Sequence, residues 1–586
     1  MVQYKWIVLS NTTLGALMAS INGSILLISL PVILGGLGIT FLNPDGFPIL
    51  IWLLLGYGIV TATLLVNAGR ISDMIGRARM YNLGFLVFTI GSILIFLTPN
   101  TGTTGGWEMV SFRLVQAVGA AFIFANSSAL LTDAFGPHER GMALGINQVA
   151  FIGGSVLGLV LGGLLAGLPT VHLGSLTVAG WRFIFLMSVP VGAFGTLWAY
   201  LNLRDLSPVR KGQRIDIVGN VTFAVSLTLL LVGLTYGLLP YGGQAMGWTD
   251  PWVWLAVGTG SALLMVFLFV ETRVAQPMFR LHLFRTRAFA IGNAAALCGS
   301  VARGGVMFML IIWFQGIWLP LHGYSFAETP FWAGIYMLPM MGGFFVMGPL
   351  SGILSDRHGA KHLASAGMGL GSAMFFAMIL LPYNFVYWQM ALLLFFMGCG
   401  MGMFASPNAA AVMNSVPSAE RGAASGMLAT LQNTGQQLSL VLFFTIVITG
   451  LSSGLSHSIG SALAGAGIGN PDAGILTGLA ASQPTDALFG AFLGQNPMGL
   501  LLEVAQTNSA WQNLPPSAVG TLTARNFFPS AIAPAFLGGI RDSFVFAGTL
   551  TAVAAVISLL RGERFVYGET VDQPKEEEAP RAAEPG

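Results

Sequence analysis

Charge is what this sequence lacks. Aspartate, glutamate, lysine and arginine make up 8% of its 586 residues and hydrophobic residues 54%, where ordinary soluble domains carry roughly 25% charged residues. A water-facing surface cannot be built from so little charge, so most of the surface must face lipid. Cysteine is nearly absent too. Cys298 and Cys399 both sit in apolar segments, which excludes a disulfide framework. No His/Cys spacing suited to a metal occurs, and no metal or cofactor is expected. The phosphate-cradling pattern GxxxxGK[ST] is missing, which argues against an ATP-driven pump. No nucleophile stands beside a plausible base, so an enzyme is not expected. The net charge of +2 comes from basic residues in short loops, and a nucleic-acid partner is not expected either.

What is present is glycine, with 77 residues, and long apolar runs. A membrane span needs about 20 mostly apolar residues. Fourteen stretches qualify, near 7–33, 49–69, 80–98, 107–132, 142–167, 182–203, 216–239, 252–271, 288–319, 330–354, 362–382, 387–413, 422–450 and 540–560. The expected fold class is therefore an all-α polytopic membrane protein. The apolar run after Lys5 is too long for a signal peptide and reads as the first span. Alternate loops place 20 of the 25 Lys and Arg on one face, among them Lys5, Arg70, Arg77, Arg79, Arg140, Arg210, Lys211, Arg214, Arg357, Lys361, Arg421 and Arg561. Arg525 is the clear exception. The positive-inside rule makes this basic face cytoplasmic, with both termini on it, in a cell membrane. The one long loop, 452–539, then lies outside and reads as a partly folded cap. The acidic, proline-rich tail after Tyr567 should be disordered.

An internal repeat is the sharpest signal. Gly69-Arg70-Ile71-Ser72-Asp73-Met74-Ile75-Gly76 recurs as Gly352-Ile353-Leu354-Ser355-Asp356-Arg357-His358-Gly359, an offset of 283. Glu139-Arg140-Gly141 recurs as Glu420-Arg421-Gly422, an offset of 281. Two matches at nearly one offset imply duplication. Residues 1–205 then form one six-helix bundle and 288–564 the other. Residues 206–287 carry two inserted helices, and 565–586 form the tail. Two like halves around a central site suit alternating access.

Gly69 to Arg79 (GRISDMIGRAR) resembles the signature loop of the major facilitator superfamily, and the fourteen spans resemble its drug:proton antiporter branch. Arg113 to Ala117 is similar to the family's RxxQG motif, with Ala117 for glycine. Gly154, Gly158, Gly162 and Gly163 resemble the antiporter glycine motif, with Leu159 where proline is usual, and serve close helix packing. Gly180 to Phe185 with Pro190 and Gly192 resembles the branch's sixth span. The resemblance implies a major facilitator fold, a small-molecule substrate and proton coupling. It also implies a conformational latch at Gly69, Asp73, Gly76 and Arg77, mirrored by Asp356 and Gly359. Locally, Asp73 is placed to cap the start of helix 3. The first span departs from the pattern. In Ile21-Asn22-Gly23-Ser24-Ile25, Asn22 stands where relatives carry an aspartate, and asparagine cannot titrate. Glu108, Asp133, Glu271 and Asp542 all fall near predicted helix ends, so proton coupling through a buried carboxylate is not expected.

Two basic residues lie inside spans instead. Arg303 falls near mid-bilayer and Arg113 in the outer part of the fourth span. A charge at the bilayer centre costs about 2.5–3.5 kcal/mol and faces a cavity or a partner. Arg303 thus either attracts an anionic or carbonyl-rich substrate or bonds helix carbonyls beside Gly304 and Gly305. The motif favours function for Arg113 and Gln116. The other candidate cavity residues are Asn22, Asn147, Gln148, Gln432 and Asn433. Asn147–Gln148 and Gln432–Asn433 are read as corresponding repeat positions. Each polar residue serves equally well as an interhelical hydrogen bond. Three functions fit: an exporter of amphipathic compounds, a carrier of an anionic metabolite or lipid, and a membrane sensor working through loop 452–539. A monomer and a weak dimer are both compatible with the sequence.

Overall fold

The structure is a computed structural model that describes residues 3–562 apart from 40–45, 137–138, 167, 174–175, 206–215, 240, 243, 245, 275–276, 278, 327, 418–419, 470–471, 482–497, 509–513 and 525. The expected disordered tail, the basic residues Arg210, Lys211 and Arg214, and Arg525 lie outside the described residues.

Among these residues the chain is helical almost throughout. The principal helices are α1 (Tyr4–Leu37), α2 (Gly46–Ile75), α3 (Arg77–Phe96), α4 (Gly102–Ala134), α5 (Arg140–Ala166), α6 (Ser188–Asn202) and α7 (Ile217–Tyr236). They continue as α8 (Pro251–Glu271), α9 (Arg287–Ile312), α10 (Leu338–His358), α11 (Ala360–Met378), α12 (Tyr387–Asn414), α13 (Arg421–Gly465) and α14 (Phe527–Leu559). Thirteen described spans are long and apolar enough to cross a membrane. The fourteenth expected span is α11, whose apolar character is diluted by small residues. Its 19 residues extend about 28 Å at 1.5 Å per residue, close to the roughly 30 Å hydrocarbon core. Those small residues let α11 sit tightly on α12, where a Cβ on Gly367 would come within 2.5 Å of the Gly400 carbonyl oxygen.

The packing repeats as the sequence does. Helix α1 lies on α5, as α9 does on α13; α4 contacts α2 and α3, as α12 contacts α10 and α11; α3 meets α6, as α11 meets α14. The two sets meet through α2 with α13 and α5 with α10. Helices α7 and α8 pair with each other, and α7 rests on α2 and α13. Asp216 accepts from the Gly219 N–H at 2.8 Å to cap α7, and Asp250 accepts from the Trp252 N–H at 2.9 Å to cap α8. The outer face of α8 is bare, with Trp252 72% and Met265 69% exposed, as a lipid-facing surface requires.

Four features differ from the sequence expectation. Helix α13 runs 45 residues to Gly465, about 67 Å, so it projects beyond any bilayer. Helix α14 begins at Phe527 rather than 540. The long loop therefore shrinks to 466–526, where the described residues hold three short helices, Asp472–Ala481, Met498–Ala505 and Pro516–Leu522. Asp542 consequently lies mid-helix, although neighbouring Arg541 still reaches the Leu381 carbonyl in the loop after α11. An antiparallel hairpin, β1 (Val171–Leu173) with β2 (Leu176–Val178), closes the loop between α5 and α6. Helix α9 also passes into a π-helical turn at Trp313–Trp318, which the apolar pattern does not reveal.

The α1/α5 contact is built on glycine. A Cβ on Gly154, Gly158 or Gly162 would approach the α1 carbonyl oxygens of Leu17, Ile21 and Ile25 to 2.9, 2.6 and 2.8 Å. Gly163 differs, because its Cβ would meet Phe331 Cα at 2.5 Å, across the boundary between the two sets. Overpacking of this kind costs about 1–3 kcal/mol. Gly158→Leu is therefore expected to lower the thermal midpoint of the purified protein by several degrees. Gly23→Ala, whose Cβ meets only a Tyr57 ring carbon at 3.9 Å, should leave it near wild type in the same melting assay.

Candidate functional site

Asp73 and Asp356 occupy equivalent places in the repeat, and each reaches into the other half. The Asp73 carboxylate accepts from the Ala423 N–H at 3.0 Å, at the start of α13. Asp356 accepts from the Gly141 and Met142 N–H groups at 3.0 and 3.2 Å, at the start of α5. Each acid thus caps a helix of the opposite half, where unsatisfied N–H groups and the helix dipole favour negative charge. The expectation that Asp73 caps helix 3 is corrected. Asp205 does that, accepting from the Ala78 N–H at 2.7 Å, because Asp73 is drawn away to α13. The chain leaves α2 through Gly76 and α10 through Gly359, with φ of 127° and 84°, a region that disfavours other residues. Gly69 allows the approach, since its Cβ would stand 2.6 Å from the Gly422 carbonyl oxygen.

A second crossed pair reinforces this face. Arg77 bridges Asp73 at 2.8 Å and also pairs with Asp133. Asp133 in turn meets Arg421 of the other half at 3.4 Å. Arg140 donates to the Asn414 Oδ1 at 2.8 Å. From the sequence alone, Asp133 stands only near a helix end and Asn414 is not singled out, although the two are separated by 281 residues (414 − 133), the same offset as the flanking motifs.

Arg113 is fully buried inside α1–α6. Its Nε donates to the Leu53 carbonyl at 3.1 Å, and its Nη1 to Asn22 Oδ1 at 3.4 Å and Gln116 Oε1 at 3.5 Å. Its Nη2 donates to the Asn22 carbonyl at 3.4 Å, and the guanidinium lies 4.9 Å from the Tyr57 ring centroid. Asn22 Nδ2 donates to Ser188 Oγ at 2.7 Å and Gln116 Nε2 to Ser92 Oγ at 2.8 Å. Neutral acceptors and a ring face thus solvate this charge within the bundle. The structure gathers Asn22, Arg113 and Gln116 into one network, apart from the central cavity.

That cavity, about 50 Å³, is lined by Gln148, Arg303 and Gln432 with Phe151, Met368, Met401 and Phe404. Arg303 lies one residue from the midpoint of the Arg287–Leu321 span. Among the described residues, Arg303, Gln148 and Gln432 make no hydrogen bond or ion pair, and all three are only partly buried. Their neighbours in sequence are engaged elsewhere. Asn147 accepts from Ser127 Oγ at 3.1 Å, and Asn433 donates to the Ala429 carbonyl at 2.9 Å. The pairing of Asn147–Gln148 with Gln432–Asn433 as repeat equivalents is also corrected. They are 285 residues apart (432 − 147), four more than the 281 offset. One helical turn of 3.6 residues separates them, so they share a face without sharing a position.

The cavity is closed along both seams. On α5 and α10, Gly352 meets Gly141 and Gly153 meets Met341, and just before α10 Phe331, in the short helix Thr329–Tyr336, meets Gly163. On α2 and α13, Gly69 meets Gly422 and Gly58 meets Gln437. Ligand sites for drug-sized molecules measure about 300–1,000 Å³, so the halves must part before such a molecule enters.

The two arginines should behave oppositely. Arg113→Gln strips acceptors of a charged donor, each such bond contributing about 1.5–3 kcal/mol, and should lower the thermal midpoint markedly. Arg303→Gln should leave the midpoint near wild type while changing what the cavity binds. Parallel melting and ligand-binding curves check both. At the basic face, the double variant Asp73→Asn, Asp356→Asn should loosen the closed state. A cysteine from Ala405→Cys, at a position that also lines the central cavity, in a background with Cys298 and Cys399 replaced, should then alkylate several-fold faster than in the parent.

The Major Facilitator Superfamily model matches residues 12–440. The chain is similar to the riboflavin transporter RibZ of Clostridioides difficile (strain 630), 28% identical over 448 residues that cover 75% of this chain and 88% of that protein. It is also similar to the multidrug resistance protein Stp of Mycobacterium tuberculosis (strain CDC 1551 / Oshkosh), 27% identical over 76% of each. Multidrug resistance protein 3 of Bacillus subtilis (strain 168) is 25% identical, covering 80% of this chain and 85% of its own. In fold it resembles the proton:xylose symporter XylE bound to 6-bromo-6-deoxy-D-glucose, with a TM-score of 0.51, 13% identity and 94% of each chain covered. From the crossed caps to the match along most of its length, this chain belongs to the Major Facilitator Superfamily and is a membrane transporter.

Proposed function

We propose that this transporter exports amphipathic small molecules from the cell by alternating access, with the sets α1–α6 and α9–α14 rocking as two bodies about the central cavity. The observation that carries the reading is the cavity itself: one cation and two amides without partners among the described residues, and walls of methionine and phenylalanine. Thioethers are flexible and polarizable, and such walls repack around many shapes. Two relatives named as multidrug resistance proteins support the same substrate class. On this reading the basic face is cytoplasmic, both termini lie there, and the crossed caps hold that side shut in a cell membrane.

A second reading follows from Arg303 and from the relative named as a riboflavin transporter. Here the cavity takes one specific anionic or carbonyl-rich compound, and Arg303 supplies the fixed charge that selects it. Asn22 bears on both readings. It places an amide where a titrating group would be needed, so coupling to protons would have to run through other groups.

Cells expressing the protein are expected to accumulate less of at least one amphipathic dye than cells lacking it, and an uncoupler will report whether a proton gradient drives the difference. Unchanged accumulation across a broad panel would exclude the export reading. In proteoliposomes, Arg303→Gln should reduce counterflow of anionic compounds at least tenfold while sparing neutral ones. Equal loss for both classes would remove the selective role of the charge.

A further inference from the structure

A second cavity opens at the basic ends of α9–α14. Its volume is about 330 Å³, and its lining includes Asp356, His358, Lys361, His362, Asn414 and Arg561. It is distinct from the central cavity, with which it shares no lining residue. Arg561 lies just past the end of α14 and is 4% exposed. Its Nη2 donates to Asn408 Oδ1, but its Nε and Nη1 have no partner among the described residues. Burial pushes this guanidinium down to about 10, so it remains charged at neutral pH. A buried cation with two idle donors is costly unless something accepts from them.

The other walls point the same way. Helix α11 begins here, at Ala360, and no side chain caps its first turn. Its free N–H groups and positive dipole end face the pocket that Ala360, Lys361 and His362 line, an arrangement suited to anions. Lys361 and His362 stand in that same first turn, where acids are the stabilising choice. The carboxylate in the lining, Asp356, is directed to the start of α5, accepting from Gly141 and Met142.

We infer that this pocket binds a phosphate-type oxyanion, held by the Arg561 guanidinium, the Lys361 ammonium and the first N–H groups of α11. Such a group presents several acceptor oxygens on one centre, matching donors that converge from more than one side. A phospholipid headgroup and a soluble phosphate ester share this chemistry.

The test uses the purified full-length protein. Its thermal midpoint is titrated with inorganic phosphate against chloride at equal ionic strength, and separately in nanodiscs of phosphatidylglycerol against phosphatidylcholine. Stabilisation by phosphatidylglycerol alone identifies a lipid headgroup. Stabilisation by inorganic phosphate as well identifies a site that soluble phosphates reach. In either case Arg561→Gln should weaken the apparent affinity at least about tenfold, and Lys361→Gln, on a partly exposed residue, a few-fold. Should Arg561→Gln fail to fold, Lys361→Gln decides. Response to neither source, or an unchanged response in Lys361→Gln and in any folded Arg561→Gln, overturns the assignment.

Discussion

The exchange of carboxylates between the halves organises this molecule. A helix start leaves N–H groups that its own turns cannot satisfy, and here the acceptors for α5 and α13 come from Asp356 and Asp73 of the opposite halves. Neither half is complete at this face without the other. Parting the halves hands those N–H groups and both carboxylates to water, where each finds partners again. The contact is therefore favourable when closed and replaceable when open, as a two-state element needs. Glycine makes it reachable: at Gly69 and Gly352 a side chain would strike the facing backbone.

Lipid imposes the second constraint, because a charge at depth must be satisfied by protein or face a polar space. The chain solves the same problem twice, differently. Around Arg113, acceptors converge from Asn22, Leu53 and Gln116, with the Tyr57 face completing the shell. Around Arg303 the described residues form no such shell, and the residue lines a cavity. An arginine with most of its donors engaged by the bundle has little left for a ligand, whereas one without such partners keeps its donors available.

This contrast explains what could be read in advance. Span count and pairing of halves were legible because hydropathy and a repeated octapeptide are local, additive signals. The ends of α13 and α14 were not, since glycine, serine and alanine outside the bilayer dilute hydropathy without breaking a helix. Arg303 was recognisable as a cavity residue or a carbonyl binder, and only the tertiary arrangement separates the two. The network around Arg113 was not legible for a related reason: its partners Leu53 and Asn22 lie 60 and 91 residues away in sequence. Asp73 is similar, since its partner Ala423 is 350 residues distant, while the nearer α3 start was taken by Asp205. The pocket at Arg561 had no sequence signature, as five helix ends build it.

The central cavity also bears on how selective such a carrier can be. Specificity requires groups that reject as well as attract. Here the rejecting element is one fixed cation, while the amides of Gln148 and Gln432 both donate and accept, and the surrounding methionines repack readily. On the proposed reading, shape is weakly specified and charge strongly specified. A cationic compound would then place its charge against Arg303 or leave the cavity's polar end unfilled, whereas an acceptor-rich compound would satisfy the guanidinium and both amides at once. On that reading the walls admit a broad range of apolar bodies, and the single charge selects the polar head.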